Sequence, residues 1–192
     1  MRRPGDAAAV ARLVVSGRGI ARGNGRAYGD SALNRDLTID MTGLDRMLAF
    51  DGETGLLTVE AGVILGDIVD AFLPRGWFPF VTPGTKHVSV GGMIAADVHG
   101  KNHRRHGSFG ACVEWLDLVA TDGDVVRCSR SENEDLFACT VGGMGLTGVI
   151  LRAAFRLMPV ESGWIRQRTV AAACLEEAVD VLEHSADWTY SV

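Results

Sequence analysis

Two features are scarce in this chain of 192 residues: long apolar runs and an excess of positive charge. No stretch approaches the roughly 20 consecutive apolar residues that a helix needs to cross a bilayer. The formal net charge is -5, whereas nucleic-acid-binding domains usually carry a basic excess. The sequence therefore predicts neither a transmembrane segment nor a nucleic-acid partner.

Cysteine pairs with metal-ligand spacing are also missing. The four cysteines are Cys112, Cys128, Cys139 and Cys174, and no two of them form a CxxC pattern. We expect small buried thiols in a reducing compartment, and no metal site. The Arg2-Arg3 start does not resemble a signal peptide, because Asp6 interrupts it. These features predict a cytoplasmic location.

Glycine, in contrast, is concentrated in three segments. The first, residues 21–31, reads Ala-Arg-Gly-Asn-Gly-Arg-Ala-Tyr-Gly-Asp-Ser and follows a short β-type run. Its glycines at 23, 25 and 29 allow positive φ and remove side chains, so that backbone N–H groups can face an anion. The spacing differs from the usual dinucleotide fingerprint, and no amphipathic helix follows. Taken alone, this segment is explained equally well by a surface turn.

The other two glycine segments change that balance. Residues 82–103 combine a Pro83-Gly84 turn, a run of small residues and a cluster of titratable nitrogens, and residues 141–150 are a glycine run that leads into an apolar strand. An acidic chain that gathers cations at glycine-rich sites is expected to bind a small anion. Three such segments in one small domain indicate an extended cofactor that is contacted at many points.

Local patterns predict an α+β fold. Helices are expected at residues 6–14, 64–72 and 134–139, hairpins at 47–61 and 113–128, and further strands at 20–22, 37–40 and 147–158. After about residue 160 we expect a strand at 164–170, a helix at 175–184 and a strand at 188–192. The predicted domains are residues 1–160 and the start of a second domain, residues 161–192.

The three glycine segments, in this order and spacing, resemble the PCMH-type FAD-binding domain of the vanillyl-alcohol oxidase and p-cresol methylhydroxylase superfamily. The resemblance covers most of residues 4–160. Residues 99–103 (His-Gly-Lys-Asn-His), followed by Gly-Ser-Phe-Gly at 107–110, are most similar to the decaprenylphosphoryl-β-D-ribose 2'-oxidase family. The resemblance implies two subdomains that sandwich FAD, followed by the first elements of a truncated substrate (cap) domain.

The same resemblance implies which residues contact FAD. In the first segment they are Ala21, Arg22, Gly23, Asn24, Gly25, Arg26, Ala27, Tyr28, Gly29, Asp30 and Ser31. Further along the chain they are Gly84, Ser89, Val90, Gly91, Gly92, Ala96, Asp97, Val98, His99 and Ile150. Tyr28 is expected to reach toward the flavin, and the candidate catalytic residues are Tyr28, His99 and Lys101.

The flavin is expected to be held without a covalent bond. Many members of the superfamily attach it through a histidine in the first loop, where this chain has Arg26 and neither histidine nor cysteine. The second segment up to residue 98 offers only His87, and a solvated loop histidine is the simpler explanation for it. The sequence therefore predicts dissociable FAD.

His99 and Lys101 each have a functional interpretation. Beside the flavin ring, His99 would stabilise charge on the reduced flavin or orient a substrate hydroxyl, while Lys101 would line the substrate approach. The alternative is a purely structural role, in which the His99 side chain hydrogen-bonds a backbone carbonyl. Residues 103–106 (His-Arg-Arg-His) are expected to be a solvated loop, or a patch that meets a phosphorylated substrate or an anionic lipid surface.

The resemblance implies FAD-dependent oxidation of a secondary alcohol of a sugar or polyol, by hydride transfer to flavin N5. In the most similar family the substrate is a lipid-linked phosphoribose, and a partner reductase completes the epimerisation that yields the arabinan precursor. This implies a small sugar or lipid-linked sugar substrate and peripheral association with the inner face of the membrane. A sugar-lactone or alditol oxidase is one alternative. An inactive FAD-binding fragment or module is another, because the family's substrate clamp comes from the second domain.

Overall fold

The computed structural model describes residues 1–185 and 187–192. The helices are α1 (Ala7–Ser16), α2 (Leu65–Phe72), α3 (Val90–Ala95), α4 (His103–His106), α5 (Glu134–Thr140) and α6 (Leu175–Glu183). The strands are β1 (Gly19–Arg22), β2 (Leu37–Asp40), β3 (Met47–Asp51), β4 (Leu56–Glu60), β5 (Trp77–Pro79), β6 (Val113–Val119), β7 (Val125–Ser129) and β8 (Val149–Pro159). This mixture of helices with a mainly antiparallel sheet confirms the predicted α+β class.

The larger sheet is organised around β8, its longest strand. The order is β3-β4-β8-β6-β7, and β5 pairs with the far end of β8. All pairings in this sheet are antiparallel, and the two predicted hairpins, β3-β4 and β6-β7, are confirmed. The apolar residues of β8 from Val149 to Leu157 are buried, while Arg152 and Arg156 are exposed. The side chains of a strand point to the two faces of the sheet, and most of the buried residues of β8 belong to the two hydrophobic cores described below.

The main hydrophobic core joins this sheet to α2 and α3. Helix α2 buries Leu65, Ile68 and Phe72, which recur at the three- to four-residue spacing of one helix face. Gly76, with a φ of 80°, ends the short turn of 3-10 helix that follows α2. Helix α3 buries Met93 and Ile94 in the same core, so the small residues of α3 remain for another surface.

A second, smaller core lies around α1 and the parallel pair β1-β2. Asp6 caps α1 by accepting a hydrogen bond of 2.7 Å from the backbone N–H of Ala9. The buried residues of this core are Val10, Ile39, Met41, Leu44, Val119, Val149 and Leu151. Since Val119, Val149 and Leu151 belong to β6 and β8, the two cores are built on neighbouring parts of the same strands.

The chain after Pro159 differs from its prediction. Helix α6 is confirmed, but residues 164–170 and 188–192 are not strands, so both strand predictions are wrong. A strand requires a hydrogen-bonded neighbour, and these residues pair with no other strand in the described parts of the chain. Trp164 is 93% exposed, and α6 has no buried residue. No described helix is long and apolar enough to span a bilayer.

Candidate functional site

The three glycine segments meet around one cavity of about 140 Å³. The first segment contributes Ala21, Gly23, Asn24, Gly25, Arg26, Ala27, Ser31 and Ala32 to its lining. The second contributes Val88, Ser89, Gly91, Gly92, Ala95, Ala96 and Val98, and the third contributes Met144, Gly145, Gly148 and Ile150. Met41 and Ala61 complete the wall, so the cavity lies where the two hydrophobic cores meet.

Two glycines in the wall are required by close contacts. A Cβ atom on Gly23 would lie 1.9 Å from Ser89 Oγ, and one on Gly91 would lie 2.9 Å from the Cβ of Ala61. Gly25 has a φ of 67°, which disfavours any residue with a side chain. Gly23 therefore lets the first loop approach the start of α3 closely, and Gly91 lets α3 approach Ala61 directly after β4.

The backbone amides of the first loop are free to bind a ligand. None of the N–H groups of residues 23–29 donates a hydrogen bond to another residue within the described ranges. Most buried or structured backbone N–H groups have such a partner. Several neighbouring free N–H groups beside a cavity form a concave donor site of the kind that binds phosphate groups.

Hydrogen bonds fix the three segments relative to one another. Asn24 Nδ2 donates to the carbonyl oxygen of His87 at 2.9 Å, which ties the first loop to the second segment. The backbone N–H groups of Gly142 and Met144 donate to the carbonyls of Ile94 and Ala95 at 3.0 and 2.8 Å. The cavity is therefore framed by cross-links between segments that are distant in sequence.

Some of the predicted cofactor contacts lie outside the cavity wall. Arg22, Tyr28, Gly29, Asp30, Gly84, Val90, Asp97 and His99 are not among its lining residues. Tyr28 is 96% exposed and is not part of the cavity wall. Val90 is fully buried in the main core. The other predicted contacts line the wall, and most of them are glycine, alanine or serine residues.

The candidate catalytic residues His99 and Lys101 are both exposed and follow α3. His99 forms an antiparallel bridge with Ser108, and its ring centroid lies 5.8 Å from that of His103. Asp97 holds this segment in place: Ser108 Oγ and the Gly110 N–H donate to its carboxylate at 2.7 and 2.8 Å. His99 and Lys101 thus lie just beyond the cavity wall. The residues predicted to form a solvated loop, 103–106, form the exposed single-turn helix α4.

The cavity lining contains one cationic residue, Arg26, and no carboxylate. The lining also contains no histidine or cysteine, and His87 is exposed outside it. Burial raises the pKa of Cys112 to about 12 and that of Cys128 to about 11. Cys139 and Cys174 are exposed, so the expectation of buried thiols is wrong for these two, which lie at the surface on and beside short helices.

Several lining residues were not predicted. Gly145 and Gly148 belong to the third glycine segment. Their φ angles of 77° and 150° are positive, a conformation that favours glycine, and this explains why the segment is rich in glycine. Met41 and Ala61 follow ordinary strands, and no local pattern marks them. They reach the wall only because the two cores meet there.

Comparison with known proteins agrees with this geometry. The chain is 45% identical over 183 residues to the decaprenylphosphoryl-beta-D-ribose oxidase of Mycolicibacterium smegmatis, covering 91% of this chain and 39% of that protein. It is 32% identical over 137 residues to the L-gulonolactone oxidase of Mus musculus, covering 71% of this chain and 31% of the relative. It is 33% identical over 152 residues to cytokinin dehydrogenase 9 of Oryza sativa, covering 76% of this chain and 29% of that relative. The chain thus spans less than half the length of these relatives.

A family model described as an FAD binding domain matches residues 3–129. The match includes α1, the first two glycine segments and both predicted hairpins. It therefore covers the loop with free amides and the small-residue face of α3. The chain belongs to the FAD binding domain family of PCMH-type flavoproteins.

Proposed function

We propose that this chain binds FAD without a covalent bond and places the pyrophosphate against residues 23–29. The observation that carries the proposal is that residues 23–27 of this loop line the cavity and that their backbone N–H groups donate to no described residue. A pyrophosphate carries about two negative charges, which backbone amides neutralise without the ordering of long side chains. Arg26 adds a cation at the same wall.

The rest of the cofactor would lie along the surface that the small residues leave open. Gly91, Gly92, Ala95 and Ala96 lie on or directly after α3 and line one wall, and their short side chains admit a flat ring system. Met144 and Ile150 supply apolar contacts on the third segment. No histidine or cysteine is present in the lining to form a covalent bond to the flavin, which supports dissociable binding.

We infer that the reaction is oxidation of a secondary alcohol of a sugar or polyol. Bound FAD would supply the hydride acceptor for the carbinol carbon. The names of two relatives support the substrate class, since one acts on decaprenylphosphoryl-ribose and the other on L-gulonolactone. A lipid-linked sugar would bring the protein to a membrane surface, and a reductase would consume the keto product.

The candidate catalytic side chains are those of His99 and Lys101. Both follow shortly after Val98, the last residue of the second segment that lines the cavity. The bridge between His99 and Ser108 and the carboxylate of Asp97 hold this segment, which supports a role in which His99 would orient a substrate hydroxyl. Tyr28 is fully exposed. It would contribute only if the first loop moves when the cofactor binds.

A second candidate function is FAD binding without turnover. It is favoured by one observation: neither His99 nor Lys101 lines the cavity in this chain, which covers 39% of the ribose oxidase relative. Turnover of sugar alcohols by the purified chain would exclude this candidate. Flavin binding without turnover would favour it.

Gly23→Ala tests the proposed binding site. The purified wild-type protein should be yellow, and heat denaturation should release free flavin from it into the supernatant. The added methyl group would collide with Ser89 Oγ, so we expect FAD affinity to fall at least about tenfold, the loss that about 1.4 kcal/mol produces. Flavin fluorescence quenching during titration measures the affinity.

Gly17→Ala is the matched control, because a Cβ atom there meets nothing within 4 Å and its φ of 168° suits any residue. This variant should bind FAD like the wild type. Colourless wild-type protein that also fails to take up added FAD would contradict the proposal. Equal affinities of Gly23→Ala and Gly17→Ala would move the cofactor away from this loop.

A further inference from the structure

Asn102 is a buried polar residue in an otherwise exposed stretch of the chain. It is 2% exposed, whereas His99, Lys101 and His103 are exposed. Gly100 is buried as well, so burial alternates along residues 99–103. This alternation places the two candidate catalytic residues, His99 and Lys101, on the solvent side of the segment and Asn102 on the protein side.

The buried side of this segment is attached to the end of β5. Asn102 Nδ2 donates to the carbonyl oxygen of Phe80, directly after β5, at 2.7 Å. A Cβ atom on Gly100 would lie 2.6 Å from the carbonyl oxygen of Thr82, so the backbone of Gly100 packs closely against this part of the chain. The carbonyl of Asn102 also accepts two backbone N–H groups of α4, at 3.0 Å each. Asn102 therefore joins α4 and the segment before it to the main fold.

The hydrogen bonding of the Asn102 side chain is incomplete. Its Oδ1 atom is buried and accepts no hydrogen bond from any residue that the structure describes. The free-energy cost of a buried unpaired acceptor is at least as large as the gain from one neutral hydrogen bond. This side chain therefore adds little net stability, and its main effect is on the position of the segment that it attaches.

We propose that Asn102 is a positioning residue that fixes His99 and Lys101 relative to the FAD cavity. This rests on the proposed function, in which both side chains act beside the flavin. The carboxylate of Asp97 accepts two hydrogen bonds and holds the chain before His99. Asn102 holds the chain directly after Lys101, so the two candidate catalytic residues lie between two fixed points.

The redox potential of bound FAD reports the position of these side chains. A cation or a hydrogen-bond donor beside the flavin stabilises the negative charge of the reduced form and raises the potential. Without the bond from Asn102 to Phe80, Lys101 is free to move farther into solvent, because it is already exposed. Loss of this bond should therefore lower the potential.

Asn102→Leu tests the proposal, because leucine keeps the approximate size of the side chain and removes the bond to Phe80. We expect the midpoint potential of bound FAD to fall by about 30 mV, the two-electron equivalent of a tenfold change, with unchanged affinity for oxidised FAD. Added to a protein that carries His99→Ala and Lys101→Met, Asn102→Leu should shift the potential less, since residues that act through one another are not additive. Spectroelectrochemical titration measures the potential, and fluorescence quenching measures the affinity.

Asn133→Gly is the matched control. Asn133 Nδ2 donates to the carbonyl of Arg127, also at 2.7 Å, and Asn133 does not line the FAD cavity. Its φ of 49° suits glycine. This variant loses an equivalent hydrogen bond and should keep the wild-type potential. Asn102→Ala, which adds no atoms to the buried site, is measured beside Asn102→Leu, and circular dichroism spectra show whether each variant is folded.

Three results would overturn the proposal and leave the proposed function intact. They are an unchanged potential in the Asn102 variants with normal FAD affinity, an equal shift in the presence and absence of the His99 and Lys101 substitutions, and failure of both Asn102 variants to fold. The last result would mean that Asn102 is needed for the fold itself. A wild-type protein that binds no FAD would contradict the proposed function, and with it the role of Asn102.

Discussion

Asp117 is the clearest case of a single residue whose charge is required by its surroundings. It is buried in β6, between Arg127 on β7 and Arg152 on β8, and its carboxylate accepts hydrogen bonds from both. Burial alone would raise the pKa of this carboxyl group, but the hydrogen bonds and charges of the two arginines outweigh burial and lower it. Arg127 also stacks over the ring of Trp115 at 3.7 Å, which holds the guanidinium in place.

Asp117→Asn should therefore destabilise the protein most at neutral pH. Removing one partner of a buried ion pair typically costs 3–5 kcal/mol, and we expect about 3 kcal/mol because both arginines are half exposed. A lowered native pKa gives stability that is present above the ordinary Asp value of about 3.9 and is lost as pH falls through the native pKa. The difference between wild type and variant should thus shrink below about pH 4.

Urea unfolding at pH 7, 5 and 3 measures this difference. Asp180→Asn is the control, because Asp180 pairs with His184 at the surface, where both side chains are largely exposed. That variant should unfold at the wild-type urea concentration. A constant difference for Asp117→Asn across the pH range would mean that the carboxylate's charge is not what stabilises the sheet.

At the scale of elements, the segment between α3 and β6 depends on one strained residue. Asp97 has a φ of 41°, which is uncommon for a residue with a side chain. Its carboxylate accepts hydrogen bonds from Ser108 and Gly110, and Phe109 donates to the carbonyl of Val98 at 2.8 Å. These bonds close the loop that carries His99, Lys101 and α4.

Asp97→Ala should loosen this loop while the sheet stays folded. The variant loses two hydrogen bonds and places alanine at positive φ, so we expect a loss of about 2–3 kcal/mol in the free energy of unfolding. Asp97→Asn, which keeps an acceptor oxygen and tolerates positive φ, should lose less. Hydrogen exchange of the amides of residues 99–110 should speed up in Asp97→Ala, whereas exchange in β6 and β8 should change little. Uniform acceleration in both regions would contradict the prediction.

The sequence predicted the elements whose causes are local. The turns at residues 51–55 and 122–124 joined the correct strands, and the apolar spacing of Leu65, Ile68 and Phe72 marked α2. The strands predicted at 164–170 and 188–192 failed because a strand depends on a neighbour that its own residues do not specify. Residues 103–106 formed a helical turn that their charge pattern did not indicate.

The candidate site shows the same division. Gly23 and Gly91 were found from the sequence because Ser89 and Ala61 leave no room for a side chain at these positions, and that requirement is visible as glycine. Met41 and Ala61 were missed because only the meeting of two cores brings them to the wall. Tyr28 was expected at the cavity by resemblance, but it is exposed, since the direction of a loop side chain depends on contacts outside its own segment.

At the scale of the whole molecule, the proposed FAD cavity lies entirely in the part of the chain that precedes the predicted boundary near residue 160. Its lining residues run from Ala21 to Ile150. Helix α6 buries no residue, and its apolar residues Leu175, Val179 and Leu182 are exposed. Residues 161–192 therefore contribute little to either hydrophobic core.

The position of this cavity predicts that a protein ending at Val160 folds and keeps its FAD affinity. Ending the chain there preserves all of β8, on which β4, β5 and β6 pair, and removes no described residue of either hydrophobic core. It does remove two hydrogen bonds, from the Ser191 N–H to the carbonyl of Lys101 and from Arg104 Nη1 to the carbonyl of Leu182. Its urea midpoint should stay close to that of the full chain, since stability follows buried apolar area. Flavin titration should give the same affinity as for the full chain, because every residue that lines the FAD cavity is retained. A protein of residues 1–160 that fails to fold would show instead that α6 is required by the first domain and that the boundary lies elsewhere.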